Sequence, residues 1–158
     1  MSRLSTGIAN ENATLPDRVV TLGTGTTNLN PAVHANRLLQ ISTAAAAYTI
    51  NMPYATGSGD VYTFLLTIAH TSGSIIINAT HPGTASNAFV GTVRNYTSAA
   101  TVVTYSSTAN DIITLNNTTQ GGQRAGDCIT LQDVAAGIWR VVDAWVTSSG
   151  ANATPFSG

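Results

Sequence analysis

The 158-residue chain contains no lysine and a single glutamate, Glu11. Its six basic residues are all arginine, and with seven acidic ones they leave a formal charge of −1. Charged residues make up 8% of the chain, against about 25% in an ordinary globular protein. Neutralising phosphates takes clustered Lys and Arg, so this composition is not that of a nucleic-acid binder. Disorder goes with high net charge and few β-branched residues, whereas Val, Ile and Thr are abundant here. The longest apolar runs fall far short of the 18 or so residues of a spanning helix, so no membrane partner is expected. One cysteine, Cys128, excludes an internal disulfide. It has no basic neighbours to make it reactive and reads as a small, half-buried residue. The opening MSRLSTGIANENATLP lacks the apolar core of a signal peptide, so synthesis in a cytoplasm without export is expected. The Asn-x-Ser/Thr triplets at Asn12, Asn78, Asn95, Asn116, Asn117 and Asn152 then follow from composition alone.

The residues that carry chemistry are equally sparse. His34, His70 and His81 stand in separate segments, and no carboxylate or cysteine completes a metal-ligand set with them. There is no Gly-x-Ser-x-Gly elbow, and Gly57-Ser58-Gly59 lacks the ending that cradles phosphate. Glycosidase chemistry needs two facing carboxylates, yet Asp60, Asp111, Asp127 and Asp133 all fall where an aspartate caps backbone amides in a turn. No enzyme activity, metal or cofactor is expected.

What is present is strand-forming sequence. Asp127 to Gln132 alternates polar and apolar residues, the period of a strand with one wet face. Asp133 to Gly137 reads as a short connection, and Ile138 to Val146 as the returning strand. Tyr62, Phe64, Leu66 and Ile68 share one face of 61–69. Further strands are expected at 19–22, 48–52, 74–79, 88–96, 101–105 and 111–116, with 37–41 a short strand or one helical turn. Turn clusters at 71–73, 81–83 and 106–110 separate them. Ala44 to Ala47 is too short to nucleate a helix. Short strands at this spacing predict an all-β fold: a sandwich or barrel of about eight to ten short antiparallel strands. Residues 1–18, polar and aperiodic, read as an extended N-terminal arm before a β domain of 19–158. Tyr62, Phe64, Ile129, Leu131 and Trp139 are the expected core anchors. Trp145 is ambiguous because Asp143 interrupts the alternation and suggests a bulge. Ile75-Ile76-Ile77, Val102-Val103, Ile112-Ile113 and Val141-Val142 are apolar on both faces, where a lone antiparallel sheet keeps one face polar. Either the arm or a neighbouring subunit is expected to cover the second face.

The stretch GDCITLQDVAAGIWRVVDAW at 126–145, followed by ATPF at 153–156, resembles the C-terminal block of small tailed-bacteriophage head decoration (cement) proteins. Met52 to Phe64 is similar to that family's proline, glycine-rich turn and Tyr-x-Phe strand, and Asn116 to Gly122 to its Asn/Thr/Gly turn. Residues 1–47 carry no such similarity. The resemblance implies a structural virion protein on the outer surface of the capsid. It implies a homotrimer whose partner is the major capsid protein, with no nucleic acid and no membrane. Arg3, Leu4, Ile8 and Arg18 of the arm are the capsid-contact candidates. The alternative is a receptor- or glycan-binding β module of a phage tail or fibre, which exposed aromatics in a groove would favour.

Overall fold

The computed structural model describes residues 18–80 and 87–158. In chain order the elements are β1 (Val19–Thr21), β2 (Gly25–Asn28), α1 (Pro31–His34), β3 (Arg37–Ile41), β4 (Tyr48–Asn51), β5 (Val61–Leu66), β6 (Ile75–Asn78), β7 (Ala88–Thr97), β8 (Val102–Asn110), β9 (Ile112–Leu115), β10 (Cys128–Ala135), β11 (Ile138–Ser148) and β12 (Phe156–Ser157). They form two mixed sheets, a sandwich and not a closed barrel. The larger has the order β1-β3-β5-β10-β11-β7-β8, and the smaller β12-β9-β6-β4-β2.

The turn spacing predicts antiparallel strands throughout, whereas both sheets are mixed. From β1 to β6 each strand switches sheet, so β1, β3 and β5 lie parallel in one and β2, β4 and β6 parallel in the other. A parallel pair needs a crossover between its members. Here each crossover contains a strand of the opposite sheet, which keeps the connections short. The result is a three-turn coil. Asn28, Asn51 and Asn78 stack in register across its turns. Asn78 Nδ2 donates to Asn51 Oδ1 and Asn51 Nδ2 to Asn28 Oδ1, both at 2.7 Å. Each side-chain amide meets its neighbour's complementary atom, so Asn51 is buried without an orphaned donor. The rest of the larger sheet is built by the antiparallel hairpin β10–β11 and the pair β7–β8, with β7 parallel to β11.

The core lies between the sheets. Tyr62, Phe64, Ile129, Leu131 and Trp139 of the larger sheet are all buried, as are Tyr48, Ile50, Ile75, Ile77 and Ile113 of the smaller. Trp139 meets Tyr62 edge-on, with centroids 5.4 Å apart and planes at 85°, the geometry that aromatic quadrupoles favour. Ile68 is the exception: β5 ends at Leu66, and Ile68 lies beyond the sheet, exposed. Two other expectations need correction. Residues 106–110 are not a turn; they continue β8, where Ser106 and Thr108 face the wet side and Ser107 is buried, its hydroxyl donating to Phe89 O at 2.8 Å. Asp133 lies inside β10, and the tight turn is Ala136-Gly137, with Gly137 at φ 75°.

Candidate functional site

β11 carries both tryptophans, six positions apart. An even spacing along an unbroken strand places both on one face. Asp143 pairs with Thr130 and Val141 with Leu131, so Val142 is an extra residue without a partner. This bulge reverses the alternation. Trp139 is turned into the core, while Trp145, 47% exposed, stands on the outer face. The bulge also explains the apolar doublet Val141-Val142: Val141 is buried and Val142 is exposed.

Trp145 is held by its neighbours on that outer face. Its Nε1–H donates to Asp143 Oδ1 at 2.6 Å. Tyr96 of β7 stacks with it, with centroids 5.6 Å apart and planes at 17°. The Arg94 guanidinium lies 5.2 Å from the indole centroid, within cation–π range. Arg94 also approaches Asp143 Oδ1 at 3.6 Å, the one side-chain ion pair among the described residues. Beside this cluster runs an open groove of about 480 Å³, lined by Tyr96, Thr97, Ser98, Arg124, Trp145 and Thr147 among others.

The loop 116–127, whose residues 124–127 line the groove, is fixed by side-chain oxygens that accept from backbone amides. Asn116 Oδ1 accepts from the amides of Thr118, Thr119 and Gln120. Gly121, at φ +97°, passes so close to β11 that a Cβ there would come within 2.5 Å of Val146. Asp127 Oδ2 accepts from Gly122 N at 2.9 Å and Thr147 N at 2.8 Å. Burial raises the Asp127 carboxyl above its ordinary range, against the pull of these amides. Asp133 shows the opposite balance. Burial pushes its carboxyl up, but the amides of Thr56, Gly57 and Ser58 and the Ser58 hydroxyl outweigh it and hold it low. Its carboxylate thus clamps the loop at 56–58 onto β10.

A second groove, of about 810 Å³, lies at the β1–β3–β5 end and brings Arg18 and Arg37 beside Leu38 and Val61. Arg18 is exposed there, and its carbonyl accepts from Leu38 N at 2.9 Å. The other capsid-contact candidates, Arg3, Leu4 and Ile8, and the rest of the expected arm up to residue 17, lie outside the described residues.

The remaining titratable groups do not converge. Among the described residues no three His, Cys, Asp or Glu side chains are placed to hold a metal ion. Cys128 is half-buried on the face opposite Ile129 and Leu131; burial pushes its thiol up, and Asp143 and Asp127 add to this. Such a thiol is a poor nucleophile. His70 is buried beside Tyr48. No helix among the described residues is long and apolar enough to cross a membrane. The alternation in the sequence leaves Trp145 ambiguous, and no sequence pattern marks Tyr96, Arg94 or Arg124. The bulge signal at Asp143 was the available clue, because a bulge decides which tryptophan faces out. The chain matches no protein-family model, no curated protein and no solved structure.

Proposed function

We propose that the protein is a structural virion component, a decoration protein that binds the assembled head of a tailed phage and reinforces it. One observation carries this reading: the separate stretches that resemble decoration proteins are tied to one another in the fold. Asp133 of the 126–145 block grips the glycine turn at 56–58. Asp127 of the same block holds Gly122 of the Asn/Thr/Gly turn. That turn in turn holds the tail: Thr119 O accepts from Ala153 N, and Gln120 Nε2 donates to Thr154 O. A pattern dispersed along the chain is one connected unit in space.

The surface supports the same reading. It carries few charges, yet Val19, Val134, Ile138 and Val142 are exposed on it. Such side chains gain by burial against a partner. The partners proposed are the major capsid protein and two further copies of this chain. The mechanism is area burial bridging capsid subunits, with no covalent step.

Two measurements test the proposal. Light scattering on the purified protein is expected to read the mass of a trimer; a monomer at micromolar concentration counts against the oligomer. Added to undecorated heads, the protein is expected to cover the shell evenly and to stay bound from about 0.05 to 1 M NaCl. The Debye length is already about 8 Å at 0.15 M salt, and a neutral interface has little left to screen. Release of most copies by salt would reveal an ionic interface instead, and absence from the shell would end the proposal.

A further inference from the structure

We propose that the groove beside Trp145 is a glycan-binding site, whose ligand is a hexose-based oligosaccharide laid against the indole. This rests on the geometry of the outer face and not on the head-decoration reading.

Exposure of Trp145 is not a by-product of poor packing. Asp143 bonds the indole nitrogen, Tyr96 stacks with the ring, and Arg94 lies against it. These contacts fix an apolar plate at the surface while the core, anchored by Trp139, closes without it. A plate fixed in advance loses little side-chain entropy when a ligand arrives. The axial C–H groups of a pyranose are weakly positive and pack against aromatic surface, here the part of the stacked Trp145–Tyr96 pair that remains exposed beside Arg94. The ring's hydroxyl edge then needs polar partners, and the groove walls supply them. Arg124 offers a fork of N–H donors. The Ser98 hydroxyl donates away from the groove, to Ser149 O, and keeps acceptor lone pairs. Thr97 and Thr147 add further hydroxyls.

The volume, about 480 Å³, is within the range of roughly 300 to 1,000 Å³ typical of small-molecule sites. The groove is an open trough, which suits a segment of a longer chain passing through it. An apolar protein anchor would fit these walls poorly. It would strip water from Arg124 and the hydroxyls without returning their hydrogen bonds.

The two tryptophans make the test simple, because Trp139 is buried and Trp145 is exposed. Intrinsic fluorescence of the full chain is followed while maltohexaose, cellohexaose, chitohexaose and a hyaluronan hexasaccharide are titrated in turn. At least one probe is expected to shift the emission saturably and to protect it from acrylamide quenching. Trp145→Ala is expected to abolish binding, or weaken it by on the order of tenfold or more, with the melting temperature unchanged. Tyr96→Ala is expected to weaken it as well, and Trp145→Phe to restore part of it. The proposal is overturned if no probe perturbs the emission, or if binding survives Trp145→Ala. It is also overturned if Trp145 is shielded from acrylamide in the free protein, which would place it between copies. Loss of head binding by Trp145→Ala, where the parent protein binds no probe, would assign the indole to the capsid contact instead. Binding of a probe by protein that never decorates heads would leave this site standing while the structural reading fell.

Discussion

The Trp139→Ala protein is expected to be about 3 to 5 kcal/mol less stable than its parent, the range for deleting a large buried aromatic. For a chain of this length that corresponds to a melting temperature lower by roughly 10 °C. Trp139 is 1% exposed and sits at the centre of the larger sheet, opposite Asp133 on β10 and Phe89 on β7. Its Nε1 makes no hydrogen bond among the described residues. The loss is therefore apolar transfer plus the cavity left behind, and no acceptor is stranded. The edge-on contact with Tyr62 disappears as well. Tyr62 cannot follow the indole into the space, because its own strand is held by β3 on one side and β10 on the other. Trp139→Phe should recover a good part of the loss by refilling the space. Thermal melting by circular dichroism and urea unfolding at constant slope measure both variants. Parental stability in the alanine variant would show that the core is not organised around this side chain.

The sandwich and its anchors were legible because a strand's two-residue period marks its inward face directly. Tyr62, Phe64, Ile129 and Leu131 fall on that period, and all four are buried. Strand direction leaves no such mark. The coil of β1 to β6 shows in the sequence only as Asn28, Asn51 and Asn78, separated by turns of unequal length, so a search for a regular repeat passes over it. The strand at 106–110 was hidden by its composition, since Ser, Thr and Asn serve a turn and a wet edge strand equally well. The outer-face site was half legible. Asp143 signalled a bulge, but its consequence for Trp145 depends on which residue is left unpaired, and that is settled by β10 across the hairpin. Tyr96 and Arg94 reach the indole through a parallel pairing of β7 with β11 that no local pattern announces.

Asp133→Ala is expected to cost on the order of 3 kcal/mol at neutral pH, and the cost is expected to shrink in acid. The carboxylate accepts from Thr56 N at 2.9 Å, Gly57 N at 2.6 Å and Ser58 N at 3.1 Å, and from the Thr56 and Ser58 hydroxyls. Hydrogen bonds to a charged acceptor contribute about 1.5 to 3 kcal/mol each. The loop residues are exposed, so water takes over the freed amides and the total stays near the low end. Asparagine is no substitute, because both carboxylate oxygens are acceptors and its amide would point donors at donors. The pH dependence follows from the lowered carboxyl. In the folded protein it ionises below its unfolded value, so its contribution is complete above about pH 4. It is lost as pH falls through the folded value. Asp127 has the opposite sign. Its carboxyl is raised, so its contribution is greatest below the unfolded value and declines as pH rises through the folded one. Only Oδ2 of Asp127 receives the Gly122 and Thr147 amides, and asparagine can present one oxygen there without the cost of a buried charge. Asp127→Asn is therefore expected to leave neutral stability unchanged or slightly higher, while Asp133→Asn lowers it. Urea midpoints from pH 7 down to 3 separate the two. A gap between Asp133→Ala and the parent that narrows as pH falls is the expected result, and a gap that stays constant from pH 7 to 3 would mean the carboxylate acts by packing and not by charge.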